Sequence, residues 1–282
     1  MGINLVHVRQ HMAFMGHHGQ MRVPTRAGDT SLCQAHGQDL EDLAPAPNPA
    51  DLDQGEHRLP ATSFRSRRSA LSGAQRQTWE RLWPELGKSE VRPPHTEPLD
   101  TTAWFGRQAP LVLEIGCGSG TSTMAMAQDE PDIDVIAVEI YRRGLAQLLS
   151  AIDREQVHNI RLIRGNALDV LQHLIAPGSL TGVRVFFPDP WPKARHHKRR
   201  LLQRGTIGLI ADRLLPGGVL HAATDHPGYA EQIAEVGNAE PRLCRVDPVS
   251  RLPISVVRPT TKYETKAQEA GSAVTELIWK RR

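Results

Sequence analysis

From Leu111 to the end of the chain, apolar segments of strand length alternate with helical stretches, and this alternation restricts the fold more than any other feature. It is typical of parallel sheets built from βαβ units. The predicted strands are 111–115, 135–138, 160–163, 183–187, 219–223 and 273–279, and the predicted helices are 121–128, 143–154, 168–175 and 201–215. The pattern therefore predicts an α/β fold with helices on both faces of the sheet.

The first 60 residues lack this periodicity. They contain a proline-rich stretch at 44–49 that is followed by acidic residues, and segments of such composition bury too little apolar surface to fold. Residues 1–60 are therefore predicted to be disordered, and residues 61–282 are predicted to form one domain of ordinary size.

The composition also restricts location and partners. No apolar run approaches the roughly 20 residues of a membrane-spanning helix, and the N-terminus lacks the apolar core of a signal peptide. We therefore expect a cytoplasmic protein that does not contact a membrane. The net charge of +3 permits an anionic partner without requiring one. The three cysteines lack metal-binding spacing and several histidines lie in the predicted disordered segment, so no metal site is predicted.

A glycine-rich turn, Gly116-Cys117-Gly118-Ser119-Gly120, lies between the first predicted strand and a helix. Such a turn lets the backbone approach either a dinucleotide or S-adenosylmethionine. The dinucleotide pattern requires glycine at the sixth place counted from Gly116, where this chain has Thr121. Glu114, just before the glycines, suits the cationic ammonium of a methionine and would repel a pyrophosphate. These features favour S-adenosylmethionine.

Further polar residues follow the next two predicted strands. Glu139 ends the second strand, where a carboxylate can accept hydrogen bonds from both hydroxyls of an adenosine ribose. Asn166 and Ala167 follow the third strand, where they could contact the adenine. Asn166 is equally suited to cap the helix that follows, because asparagine is a favoured N-cap residue, and the two roles are compatible.

A proline-flanked acid and a basic run follow the fourth predicted strand. Because ligands bind beyond the carboxyl ends of parallel strands, the rigid Pro188-Asp189-Pro190 segment is predicted to point at the cofactor. An ordinary Pro-Asp turn is the alternative. Residues 193–200 then contain five fixed cations and two histidines. A charge run is often only a solvated surface, but beside an active site it offers phosphate contacts to a nucleic acid.

Two more polar segments complete the candidate site. Asp225 follows the fifth predicted strand and places a second carboxylate at the same edge of the sheet. Residues 258–264 form a polar stretch before the last predicted strand, in which Tyr263 could stack on a base while Glu264 accepts a hydrogen bond from it.

Together these motifs resemble those of the bacterial tRNA (guanine-N7-)-methyltransferases of the TrmB type. The resemblance extends from about residue 61 to the end of the chain, and its most specific part is 186–200. The segments that carry it are Leu113-Glu114-Ile115-Gly116-Cys117-Gly118-Ser119-Gly120, Phe186-Phe187-Pro188-Asp189-Pro190-Trp191-Pro192-Lys193-Ala194-Arg195-His196-His197-Lys198-Arg199-Arg200, Ala223-Thr224-Asp225, Thr261-Lys262-Tyr263-Glu264, Arg65-Ser66-Arg67-Arg68 and Leu71-Ser72-Gly73-Ala74-Gln75. Two features depart from the family pattern: Asn166 stands where Asp is common, and the long N-terminal extension is not part of the pattern.

The resemblance implies a Rossmann-like class I methyltransferase fold with a mostly parallel, seven-stranded sheet. It also implies methyl transfer from S-adenosylmethionine to N7 of a guanosine in the variable loop of tRNA, at position 46. The implied roles are catalysis by Asp189; cofactor binding by Glu114, Gly116, Gly118, Glu139, Asn166, Ala167 and Asp189; substrate binding by Lys193, Asp225, Thr261, Lys262, Tyr263 and Glu264; and RNA binding by Arg195, His196, His197, Lys198, Arg199 and Arg200. No obligatory protein partner is expected, and the chain is expected to be a monomer or a homodimer.

Guanine N7 carries an in-plane lone pair and no proton, so methylation of N7 requires alignment rather than a general base. Asp189 is therefore interpreted as a group that orients the guanine or stabilises the cationic product. Two alternatives remain open at this stage. A methyltransferase for a small molecule or a protein predicts no salt-sensitive RNA binding. A non-catalytic RNA-binding module predicts no stabilisation by S-adenosylmethionine.

Overall fold

Eight strands form one mixed sheet in the computed structural model, which describes residues 70–89, 97–248, 250–259 and 273–282. The strands are β1 (Gly87–Ser89), β2 (Leu111–Ile115), β3 (Asp134–Glu139), β4 (Ile160–Arg164), β5 (Leu180–Phe186), β6 (Leu214–Thr224), β7 (Leu243–Arg245) and β8 (Thr275–Arg281). Their order is β1-β4-β3-β2-β5-β6-β8-β7. Only β8 is antiparallel to its neighbours, β6 and β7. The segment 1–60, predicted to be disordered, lies outside the described residues.

Helices cover both faces of the sheet. They are α1 (Gly73–Leu86), α2 (Thr101–Phe105), α3 (Thr121–Asp129), α4 (Arg142–Glu155), α5 (Ala167–Asp169), α6 (Arg204–Arg213) and α7 (Pro227–Asn238), with a π-helical turn at Val170–Leu174 and a 3-10 helix at Ala194–Arg199. Residues of α1, α3 and α4 pack on one face, and residues of α2, α5, α6 and α7 pack on the other. None of the helices in the described ranges is long and apolar enough to cross a membrane.

This topology confirms the predicted Rossmann-like class I methyltransferase fold, with one strand more than the seven expected. The additional strand is β1, which pairs in parallel with β4 through the register Gly87↔Leu162 to Ser89↔Arg164. The sequence Gly-Lys-Ser has no alternation of apolar residues that would predict a strand. β1 directly follows α1, which packs against α4, so tertiary packing rather than local pattern brings it to the sheet.

Local sequence explains the best-defined helices. At the start of α1, Ser72 Oγ accepts a hydrogen bond from Gln75 N at 3.2 Å, and Gln75 Oε1 accepts one from Ser72 N at 3.1 Å. This reciprocal capping box satisfies two backbone donors at the helix start. In α4 the predicted apolar face is confirmed, because its members are all buried: Leu145, Leu148, Leu149 and Ile152.

The chain departs from the predicted elements after β5. The helix predicted at 201–215 is α6, which begins only at Arg204 and ends at Arg213. Residues before it are held by tertiary contacts instead, since Leu202 is fully buried and its N–H donates to Tyr229 Oη at 2.9 Å. Both α7 and β7 lie in a stretch for which the sequence pattern predicted no element.

Candidate active site

The carboxyl ends of five neighbouring strands, β4, β3, β2, β5 and β6, meet at one edge of the sheet, and the candidate residues follow these strands. We call residues 114–120, 139–141 and 166–167 the cofactor half of this edge. Residues 187–200 and 224–226 are its acceptor half. Four predicted substrate-binding residues, Thr261, Lys262, Tyr263 and Glu264, lie outside the described residues.

The glycine turn combines open space with close packing. Gly116, Gly118 and Gly120 have left-handed φ values of 76°, 57° and 79°, which residues with a side chain rarely adopt. A Cβ added at Gly116 or Gly118 would meet nothing within 4 Å, whereas one at Gly120 would lie 2.5 Å from the side chain of Leu148. The first two glycines therefore leave room beside the backbone for a ligand, and the third allows α3 to pack against α4.

Glu139 is bound by the backbone around it. Its Oε2 accepts a hydrogen bond from Gly118 N at 3.0 Å, and its Oε1 accepts from Ile140 N at 2.7 Å and Tyr141 N at 3.0 Å. A carboxylate has about four acceptor positions. Three are used by the protein, so the carboxylate is oriented by its own loop and retains acceptor capacity for a ribose hydroxyl.

Glu114 is 3% exposed, in the interior of the sheet. Its partner in register on β5 is the fully buried Arg184, which donates a hydrogen bond to Glu130 Oε2 at 2.5 Å. Burial raises the pKa of Glu114 above its ordinary value of 4.5, and the charge of Arg184 opposes this rise. Among the described residues, no donor has the geometry of a full hydrogen bond to the buried Glu114 Oε2, although the Thr123 hydroxyl also lowers the pKa of this carboxyl. A ligand ammonium would supply the missing donor.

Asn166 caps α5, because its side-chain oxygen accepts a hydrogen bond from Leu168 N at 3.0 Å. The capping role considered from the sequence is thus present, and the contact with adenine stays a prediction. The cap leaves the side-chain NH2 group as a donor for a purine nitrogen. With the open space at the glycine turn and the unpartnered oxygen of Glu114, the cofactor half fits S-adenosylmethionine.

The loop that carries Asp189 lies between two strained residues. Phe187 and Trp191 have left-handed φ values of 49° and 43°, and elsewhere in the described ranges only Gln156 among non-glycine residues has a positive φ. Such conformations cost about 1–3 kcal/mol each and persist where the surroundings enforce them. The strand predicted at 183–187 therefore ends one residue early, at Phe186. Asp189 itself is exposed.

Asp225 lies beside this loop. Phe186 of β5 and Ala223 of β6 are partners in register, and Phe187 N donates a hydrogen bond to Ala223 O at 2.8 Å. The segments that follow the two strands therefore begin side by side, and both Asp189 and Asp225 are exposed. The structure thus brings two carboxylates that are 36 residues apart in the sequence to neighbouring strand ends.

The basic run forms a short helix next to Asp189. Lys193, Arg195 and Lys198 are exposed, and the guanidinium of Arg199 lies 5.1 Å from the ring centroid of Trp191. Desolvation and the neighbouring cations, Arg199 first, lower the pKa of His196 below its ordinary 6.5. The fixed cations therefore carry most of the positive charge of this helix at neutral pH. In the described part of the chain, no group of three or more His, Cys, Asp or Glu side chains could hold a metal ion.

Arg200 differs from the residues before it, because it is only 3% exposed. Its guanidinium donates hydrogen bonds to the carbonyl oxygens of Pro190 and Gly228. The guanidinium of Arg200 thus faces the protein in this structure. We therefore take residues 195–199 as the candidate RNA-contact set.

A second buried network was missed by the sequence analysis. Arg258 Nε donates a hydrogen bond to Glu276 Oε1 at 2.7 Å, and Glu276 Oε2 lies 2.5 Å from His221 Nε2. The guanidinium of Arg258 also lies 4.9 Å from the ring centroid of Phe187. These contacts tie the stretch before 260–264 to the acceptor half. Their partners are 18 and 55 residues apart in the chain, and no local pattern marks such pairs.

Comparisons with known proteins agree with this geometry. A family model described as "Putative methyltransferase" matches residues 108–277. Proteins named tRNA (guanine-N(7)-)-methyltransferase are similar over most of the chain. The one from Mycobacterium avium (strain 104) is 69% identical over 274 residues, which are 95% of this chain and 100% of that protein. The one from Mycobacterium leprae (strain Br4923) is 76% identical over 79% of this chain and 98% of that protein.

A third relative of the same name, from Mycobacterium tuberculosis (strain ATCC 25177 / H37Ra), is 65% identical over 95% of this chain and 96% of that protein. Among solved structures, the 16S rRNA methyltransferase KamB is 14% identical, with a TM-score of 0.45 over 66% of this chain and 94% of that chain. The similarity to KamB is too low to support a conclusion about this chain.

Proposed function

Because the chain belongs to the family of tRNA (guanine-N(7)-)-methyltransferases, we propose that it transfers a methyl group from S-adenosylmethionine to N7 of a guanosine in tRNA. The observation that carries the proposal is the 69% identity, over 95% of the chain, to a protein of that name. The acceptor guanosine is proposed to be the one in the variable loop, at position 46, in line with the motifs of residues 186–200.

The cofactor half supplies the contacts for S-adenosylmethionine. When bound, this cofactor supplies a methyl group on a positively charged sulfur, which is an electrophile. The buried carboxylate of Glu114 would receive the methionine ammonium, and the backbone at Gly116 and Gly118 would lie against the ligand. Glu139 would accept a ribose hydroxyl, and Asn166 with Ala167 would contact the adenine.

The acceptor half positions the purine. Guanine N7 has no proton to lose, so the chain needs no general base, and correct alignment of the reacting atoms can lower the barrier by several kcal/mol. The exposed Asp189, at the tip of a strained loop, would orient the guanine edge. Methylation leaves a positive charge on the purine, and the fixed negative charge of Asp189 would stabilise it.

The RNA contacts proposed for this chain come from residues 195–199, with Lys193, Asp225 and residues 261–264 contacting the substrate nucleotide. The exposed cations Arg195 and Lys198 would bind phosphates, and the ring of Tyr263 would stack on a base. We further propose that residues 61–282 form the catalytic domain, that the protein acts in the cytoplasm, where tRNA is found, and that it is a monomer or a homodimer without an obligatory protein partner.

Incubation of tRNA transcripts with labelled S-adenosylmethionine, followed by nucleoside analysis, tests the proposal. We expect the label in 7-methylguanosine, and we expect none when the variable-loop guanosine is replaced by adenosine. Label in another nucleoside, or none in RNA, would contradict the proposal. A melting temperature that rises with S-adenosylmethionine in a protein inactive on RNA would favour another methyl acceptor, whereas an unchanged one would favour a non-catalytic RNA-binding module.

A further inference from the structure

Two adjacent arginines at the end of the basic helix differ in burial. Arg199 is half-buried, with its guanidinium over the ring of Trp191. Arg200 is 3% exposed and its side chain enters the protein. Burial of a cation is costly unless hydrogen bonds and packing replace its hydration. The hydrogen-bond partners of Arg200 therefore indicate which parts of the structure its side chain holds together.

The partners of Arg200 come from two different segments. Its Nε donates a hydrogen bond to Pro190 O at 2.8 Å. Its Nη1 donates to Gly228 O at 3.1 Å and to Gln232 Oε1 at 2.6 Å. The guanidinium also lies 4.8 Å from the ring centroid of the fully buried Tyr229. One side chain thus bonds the loop after β5 to the first two turns of α7.

An acidic residue of the acceptor half lies in the first segment and another lies just before the second. Pro190 directly follows Asp189, and Gly228 is three residues after Asp225. Asp189 is also close enough to Tyr229 that its charge, after the larger effect of burial, contributes to raising the pKa of Tyr229 to about 12. The strained φ values of Phe187 and Trp191 require restraint from outside the loop. Pro190 has no N–H, so its carbonyl oxygen is the backbone group through which a hydrogen bond can hold it.

We propose that Arg200 is a positioning residue that holds the Asp189 loop in a fixed place relative to Asp225 through its hydrogen bonds to Pro190, Gly228 and Gln232. This inference rests on the proposed function, because Asp189 has to orient the acceptor base. Arg200 therefore affects turnover through Asp189 and does not contribute to the affinity for tRNA. The planar guanidinium donates in several fixed directions at once, and lysine cannot reproduce this geometry.

The test compares Arg200→Lys with Arg199→Ala and with Arg204→Lys, a control at an exposed arginine outside the site. For Arg200→Lys we expect kcat to fall about tenfold to 100-fold, because small displacements of positioning groups have effects of this size. The KM and Kd for tRNA and the Kd for S-adenosylmethionine should stay within about twofold of the wild-type values. Loss of one direct contact with either ligand would change its affinity by more than this. Arg199→Ala should mainly raise the KM for tRNA, and Arg204→Lys should behave as the wild type.

A second variant and a second measurement separate positioning from stability. Gln232→Leu removes one acceptor and keeps the bond to Pro190, so kcat should fall less than in Arg200→Lys, again without a change in KM. Hydrogen exchange of the Phe187 amide, which is bonded to Ala223 O, should be faster in Arg200→Lys and unchanged in Arg204→Lys.

The outcomes distinguish the inference from the proposed function. An inactive wild-type protein would contradict the proposed function, while the exchange measurement would still test whether Arg200 holds the loop. A normal kcat for Arg200→Lys with only a lower melting temperature would overturn the inference, and so would unchanged exchange at Phe187. A raised Kd for tRNA with a normal kcat would show that Arg200 contacts RNA, which also overturns it.

Discussion

The cofactor half and the acceptor half of the site are held in place by different kinds of contact. In the cofactor half, Glu139 is bonded to N–H groups of the next two residues and of the adjacent glycine turn. In the acceptor half, the loop around Asp189 has strained residues on both sides and is bonded by Arg200 to α7, 38 residues further along the chain. The first arrangement is set by neighbouring backbone, and the second by distant side chains.

The two kinds of contact suit the two different ligands of the site. A small cofactor with fixed chemical groups can be bound by a turn and two strand ends whose geometry is local. A tRNA is large and highly charged, so its contacts need exposed cations, and exposed side chains are not held by packing. The buried arginine beneath the exposed ones supplies rigidity that the surface lacks. Four predictions test this contrast.

The largest effect is expected at the tip of the acceptor loop. Asp189→Asn removes the charge that orients the purine and stabilises the cationic product, so kcat should fall on the order of 100-fold or more. S-adenosylmethionine binding should remain measurable by calorimetry, because Glu114 and the glycine turn are unchanged. Near-normal turnover in this variant would show that Asp189 has no role in the reaction. Asp225→Asn is the matched comparison, with its larger effect expected on the KM for tRNA.

In the cofactor half, Glu114→Gln should weaken the binding of S-adenosylmethionine about tenfold to 100-fold, because a charge-assisted hydrogen bond contributes roughly 1.5–3 kcal/mol. Burial raises the pKa of Glu114, so its carboxylate is protonated at a higher pH than an exposed glutamate. Wild-type affinity should therefore decrease as the pH falls through this raised pKa, and the decrease should be absent in Glu114→Gln. Calorimetric titrations at several pH values measure both effects, and an equal pH dependence in the two proteins would contradict the assignment.

A smaller effect is expected for each exposed cation of the basic helix. Lys198→Ala removes one phosphate contact, so the slope of log Kd for tRNA against log salt concentration should decrease by about one. Arg200→Lys should leave the slope unchanged, because Arg200 is buried. Filter binding at several salt concentrations gives the slopes. A slope unaffected by Lys198→Ala would remove this residue from the RNA surface.

The smallest effect concerns strain outside the site. Gln156, at the end of α4, has a φ of 53°, and glycine adopts this conformation without strain. Gln156→Gly should stabilise the protein by about 0.5–1 kcal/mol, which corresponds to a rise in Tm of about 2 °C. Trp191→Gly should relieve similar strain but lower kcat, because the loop at Asp189 loses its restraint. Thermal unfolding with parallel activity assays tests the contrast, and a lower Tm for Gln156→Gly would contradict it.

Much of the cofactor half could be predicted from the sequence. The glycine turn, the strand that precedes it and the apolar face of α4 are local patterns, and the structure has all three at the predicted places. Asn166 is a further example, because its preference for helix starts predicts the cap that is present. The common edge of the strands follows from the rule that parallel strands place their carboxyl ends together.

Tertiary structure decided the rest. The sequence showed that residues 193–200 are basic, but not that Arg200 turns inward while Lys198 stays exposed. It also did not show β1, α7 or the left-handed conformations of Phe187 and Trp191. Periodicity and turn chemistry act over a few residues, so they are readable along the chain. The burial of one arginine depends on acceptors 10, 28 and 32 residues away, which only the folded chain brings to it.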